Sequence, residues 1–164
     1  MDAKTQRRRV NPVNRKNELK KAIAECQRLF LRTIVQITKN LHAKNKRDGD
    51  LAELKEQISI AVRDAPEDIF LEAGKYLWGY REDISRGEVK KFLGMDYTKE
   101  VDKKTKDSAE AEQVQKLITK IKRTWKLLND IEQKNIIKDV QKMLAKYVQW
   151  QGHKNQLLAL KSKN

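Results

Sequence analysis

Five cationic side chains, Lys21, Arg28, Arg32, Lys39 and Lys46, recur at steps of seven, four, seven and seven residues. At about 100° per residue they fall in one stripe roughly 40° wide, and at ~1.5 Å per residue that stripe extends along ~37 Å of helix. Upstream of it stand Arg7, Arg8, Arg9, Arg15 and Lys16. A row of this length is longer than a small anion needs and suits a phosphate backbone, whose charges it can neutralise one by one. Arginine adds a planar fork able to grip a phosphate with two hydrogen bonds, which a lysine ammonium cannot do. A charged stripe opposite a core face is also what solvation alone selects. Its contiguity with the basic N-terminal segment favours a polyanionic partner.

Other reactive types occur without the company that chemistry requires. His42 and His153 are isolated, Cys26 lies at helical spacing among apolar residues, and Glu82 and Asp83 point to different faces of a helix. No glycine-rich phosphate loop, zinc-ligand spacing or nucleophile motif is present. The expectation is therefore a protein that is not an enzyme, with no metal, no cofactor and no small-molecule substrate. Tyr76, Trp78 and Tyr80 could stack on bases as in single-strand binders, although rings at helical spacing more often pack in a core or interface.

The net charge of +14 is concentrated at one end. Residues 1–17 hold six Lys/Arg and one Asp (+5), residues 18–47 hold eight basic and two acidic (+6), and residues 48–164 hold 23 basic and 20 acidic (+3). A chain that needed charge only for solubility would spread it; this asymmetry points to nucleic acid before an anionic membrane. Phosphates dominate binding to DNA and RNA alike, so charge does not choose between them. No apolar run exceeds the four residues Leu157–Leu160, Met1 does not open a signal peptide, and Asp2 excludes N-terminal myristoylation. A single cysteine implies folding without disulfides, in an intracellular setting.

The element that must carry the stripe is a long amphipathic helix from Glu18 to about Lys46, with Leu19, Ile23, Cys26, Phe30, Ile34, Ile37 and Leu41 on its apolar face. Residues 1–17, interrupted by Pro12, read as an arm that orders on an anionic partner. Asp50 and Glu53 have capping-box spacing for a second helix through Leu51, Leu54, Ile58 and Ala61. A third helix spans Pro66 to Ile84, with Gly74 and Gly79 marking close approach or a bend. Ser85 to Glu88 has the spacing to cap a short helix ending at Gly94, and residues 95–107 read as a loop. A helix capped by Asp107 carries Val114, Leu117, Ile121, Trp125 and Leu128. A continuation or further helix carries Ile136, Val140, Tyr147 and Trp150 to a stop at Gly152. Residues 153–164 form a C-terminal tail. With 38% apolar and 37% charged residues, and no strand pattern or repeat, the fold class is all-α. The expected architecture is a helical bundle of about four main helices over residues 18–152, behind a basic, extended N-terminal arm.

The stretches RRRVNPVNRKN before the long helix and FLEAGKYLWGYREDI (Phe70 to Ile84) resemble the major coat proteins of filamentous and rod-shaped viruses of archaea, of the lipothrixvirus and rudivirus kind. The resemblance covers about half of the chain. It implies a structural virion protein: dimeric coat units, homodimeric or paired with a paralogous subunit, that wrap A-form double-stranded DNA in a helical nucleocapsid after assembly in the host cytoplasm. The DNA contacts it implies are sequence-independent and fall on Arg7, Arg8, Arg9, Arg15, Lys16, Lys21, Arg28, Arg32 and Lys39. The lysine-rich stretch 95–107 and frequent Asn and Gln depart from the family pattern. Two other readings compete on the residues: an RNA-binding accessory or ribosome-associated helical protein, and an interfacial membrane protein using the first helix as anchor.

Overall fold

The computed structural model describes residues 12–88 and 109–162, and its regular elements are all helical. Arg7, Arg8, Arg9, the helix expected before Gly94, the loop 95–107 and the Asp107 cap lie outside the described residues.

Helix α1 runs Pro12–Lys44. It starts six residues before the expected arm boundary because proline suits a first helical turn, where its φ is already helical and its missing N–H has no intrahelical partner to lose. Arg15 and Lys16 are therefore helical residues, not arm. The helix also ends before Lys46, which sits in the following turn. Its core face is the expected one, with Leu19, Cys26, Phe30, Ile34, Ile37 and Leu41 buried; Ile23 alone of the expected set is only half-buried.

Helix α2 spans Gly49–Asp64 and buries Leu51, Leu54, Ile58 and Ala61. Its N-cap is Asp48, whose carboxylate accepts the Leu51 N–H at 3.1 Å and the Lys120 ammonium at 2.7 Å. The expected Asp50–Glu53 box gives way because Asp48 serves both the helix end and Lys120.

The single helix expected over Pro66–Ile84 divides at Tyr80 into α3 (Pro66–Gly79) and α4 (Arg81–Ser85). The two glycines explain themselves differently. Gly79 ends α3 in open space, whereas a Cβ on Gly74 would come within 2.3 Å of the Tyr147 ring. Ser85 to Glu88 closes α4. Gly87 takes φ +70° and donates to Ile84 O at 3.0 Å, and Glu88 N donates to Asp83 O at 2.9 Å, the paired bonds of a Schellman cap.

Helix α5 (Ala109–Thr124) runs into a 3-10 turn (Trp125–Leu127), after which Leu128 is extended. Asn129 and Glu132 then cap α6 (Asp130–Ser162) reciprocally: Glu132 N donates to Asn129 Oδ1 at 2.9 Å and Asn129 N to Glu132 Oε1 at 3.1 Å. The chain thus has five helices of 14 to 33 residues among those described, where about four were expected. α6 also passes through Gly152, the expected stop. A mid-helix glycine costs only about 1 kcal/mol relative to alanine, and Leu157 beyond it is buried.

Helices α1 and α6 lie antiparallel over their whole length of ~50 Å, with Arg15 opposite Gln156, Cys26 opposite Gln149 and Lys44 opposite Glu132. Helices α2, α3 and α5 close the core at one end of this pair. Its centre is a ring cluster in which Phe70 meets Phe30 edge-on at 4.8 Å, Trp150 at 5.1 Å and Tyr147 at 5.7 Å. Leu19, Cys26 and Leu157 are buried outside that cluster, along the α1–α6 seam.

Candidate nucleic-acid interface

Along α1 the side chains of Lys21, Arg28, Arg32 and Lys39 are all exposed, in a row spanning ~27 Å of helix. Lys46 is exposed too, but in the turn and off the helical row. Nearer the N-terminus Arg15 reaches Glu18 at 3.5 Å and donates to Gln156 Oε1 at 3.2 Å, which ties it to α6. Lys16 is half-buried.

Arg28 is already engaged. Its Nε donates to Glu25 Oε2 at 2.9 Å and its Nη2 to Oε1 at 2.6 Å. The hydrogen bond from Arg28 holds the Glu25 carboxyl below the usual carboxylate range. The carboxylate occupies the guanidinium fork that a phosphate would use.

Beside the row, α1 borders a groove of about 850 Å³ whose other walls are the end of α2, the start of α3 and the C-terminal half of α6. Five cations line it, Lys20, Arg28, Arg32 and Lys39 from α1 and Lys154 from α6, against one carboxylate, Glu67. Its floor is apolar, with Ile23, Leu31, Val35 and Val62, which explains why Ile23 is not closed into the core. Trp150 forms part of the α6 wall. Its ring is fixed by Phe70 and by Tyr147, which stacks on it at 5.7 Å and 13°, and the Lys154 ammonium stands 5.4 Å from its centroid.

Lys20, Lys154 and Trp150 are residues that stripe reasoning missed. One signal existed: residues 140–164 contain lysines at 142, 146, 154, 161 and 163 and no Asp or Glu. The groove unites Arg28, Arg32 and Lys39 of the expected set, while Arg15, Lys16, Lys21 and Lys46 stand outside its walls.

The aromatic trio does not form a stacking platform. Tyr76 and Tyr80 pack together at 5.3 Å against the core, and Trp78, though exposed, is covered by the Arg81 guanidinium 4.4 Å from its centroid. Burial pushes the Cys26 thiol pKa up, away from the thiolate, and its Sγ lies 3.9 Å from Gln149 Oε1. Among the described residues no cluster of His, Cys, Asp and Glu could hold a metal ion, and no helix is long and apolar enough to cross a membrane. No protein-family model, curated protein or solved structure matches the chain.

Proposed function

We propose that this protein is a structural nucleic-acid-binding protein that packages double-stranded DNA without reading its sequence, as a coat subunit of a helical nucleocapsid. The observation that carries the reading is the exposed row Lys21, Arg28, Arg32 and Lys39, which runs beside a groove lined by five cations and one carboxylate. Cations spaced along a rigid helix contact phosphates, and phosphate contacts position a protein on a duplex without specifying bases. Arg7, Arg8 and Arg9 lie a short distance upstream of α1 and extend the same charge. The resemblance to archaeal viral coat proteins supplies the rest: an A-form duplex, a second copy or paralogous subunit as partner, and the virion as location.

The test is a salt titration of binding to duplex DNA together with electron microscopy of the mixture. Neutralising about six to ten phosphates gives a log K against log[salt] slope of about −5 to −9, and the triple variant Arg28→Gln, Arg32→Gln, Lys39→Gln lowers its magnitude by about 2.7. A slope near zero overturns DNA binding. Salt-dependent binding with no regular filament on long duplex overturns the coat role alone.

A further inference from the structure

We infer that the α1–α6 groove seats one phosphodiester backbone of the duplex lengthwise, and that Lys20 and Lys154 are phosphate contacts on its two walls. The inference rests on the DNA-binding reading and adds the mode of contact and two residues to it.

Length and charge select the occupant. Along α1 the groove runs from Lys20 to Lys39, ~28 Å at ~1.5 Å per residue. That is longer than a small anion needs, and five cations against one carboxylate along it suit an extended anionic backbone. The remainder of the duplex then lies outward, over Lys21 and the exposed faces of Arg28, Arg32 and Lys39.

Lys154 is the residue that makes this a two-sided site. It comes from α6, so its charge faces the same channel as the α1 cations from another helix. Its position does not depend on a flexible stem alone, because the ammonium rests over the Trp150 ring, itself held by Phe70 and Tyr147. Lys20 stands roughly 80–120° around α1 from the residues of the exposed row. Only a strand inside the groove reaches it together with Arg28, whereas a duplex lying on the outer row would leave both Lys20 and Lys154 untouched.

The experiment uses the full chain and a 30-base-pair duplex of arbitrary sequence, with binding followed by fluorescence anisotropy between low and moderate salt. Lys154→Gln and Lys20→Gln each reduce the magnitude of the slope by about 0.9, which at 0.1 M salt is a loss of about eightfold in affinity. Lys154→Arg retains the slope. Lys126→Gln, which removes an exposed charge at the far end of the molecule, serves as the control and leaves the slope within error. If the unmodified protein shows no salt-dependent duplex binding, the DNA-binding reading fails and this inference with it. If it binds but Lys154→Gln and Lys20→Gln behave like Lys126→Gln, the groove assignment is overturned while DNA binding stands. Loss confined to single-stranded DNA of the same sequence, with duplex binding unchanged, overturns it as well.

Discussion

The two ends of the α1–α6 pair are built on opposite terms. From Phe30 to Leu41, α1 is enclosed by α2, α3, α5 and the first half of α6, and the side chains of Phe30, Ile34, Ile37 and Leu41 are almost wholly inaccessible. From Val13 to Leu29 its buried apolar residues are Leu19 and Cys26, answered on α6 by Leu157, while Val13 and Leu158 remain exposed. The enclosed end carries the cohesion, and the cationic row spans both ends, with Lys21 and Arg28 on the narrower one and Arg32 and Lys39 on the outer face of the enclosed one. Surface that is not needed for a core is free to be cationic, and a two-helix seam offers such surface on most of its circumference. The same contrast shows in the ion pairs. Asp48–Lys120, in the enclosed end, has side chains only 20% and 14% exposed, whereas Glu25–Arg28 on the narrow end is more than half exposed on both sides.

The sharpest break between the ends is a pair of truncations. Phe70→Ala removes the ring at the centre of the Phe30, Tyr147 and Trp150 cluster and costs about 3–5 kcal/mol, a large share of the stability of a chain this size. Leu19→Ala removes a side chain equally inaccessible, but from a seam only two helices thick that can close over the gap, and costs about 2 kcal/mol. Urea unfolding followed by circular dichroism measures both. Equal losses would mean that the narrow end is as tightly enclosed as the body.

The second test concerns acid. The Asp48 carboxyl is held below its ordinary range, first by the hydrogen bond from Lys120 and then by the Leu51 N–H. A carboxyl with a folded pKa below its unfolded value of about 3.9 contributes stability that is complete above about pH 4 and is lost as pH falls through the folded pKa. Asp48→Asn keeps a side chain able to cap α2 but removes the ion pair. It is expected to cost about 1 kcal/mol at neutral pH and to flatten the fall in stability below pH 4. Glu132, lowered by the Asn129 N–H, retains a share of that fall. An unchanged acid limb in thermal melts from pH 7 to pH 2 would remove Asp48 from the account.

What the sequence disclosed follows the range over which each signal acts. The apolar period of α1 is local, and it placed six of seven expected positions in the core. The error, Ile23, is a residue whose neighbours across the seam decide its fate. Turn chemistry was readable but ambiguous: Ser85 to Glu88 has the spacing of a start, and the positive φ of Gly87 shows that it also closes α4. Asn129 and Glu132 carried a start signal at capping-box spacing, hidden inside a stretch whose apolar period ran on. Gly152 looked like an end because glycine is a poor helix former, but packing of Leu157 outweighs a penalty of about 1 kcal/mol. The charged row was legible from spacing along one helix. The groove was not, because Lys154 joins Arg28 and Lys39 only through the antiparallel register of α1 on α6, more than a hundred residues apart in the chain.

The smallest expected effect tests the narrow end from its acidic side. Glu25 sits within the cationic row and holds the Arg28 fork with two hydrogen bonds, so a phosphate approaching Arg28 must displace it. Exposed pairs of this kind are weak, because both partners are well solvated and their side chains lose freedom in pairing. Glu25→Gln is therefore expected to leave thermal unfolding unchanged. It should tighten duplex binding by less than about fivefold, with a salt slope steeper by less than one. Anisotropy titrations alongside melting curves separate the two quantities. Weaker binding in Glu25→Gln would mean that the carboxylate holds Arg28 in its binding pose, and the pair would then belong with Asp48–Lys120 as structure and not with the free charges of the row.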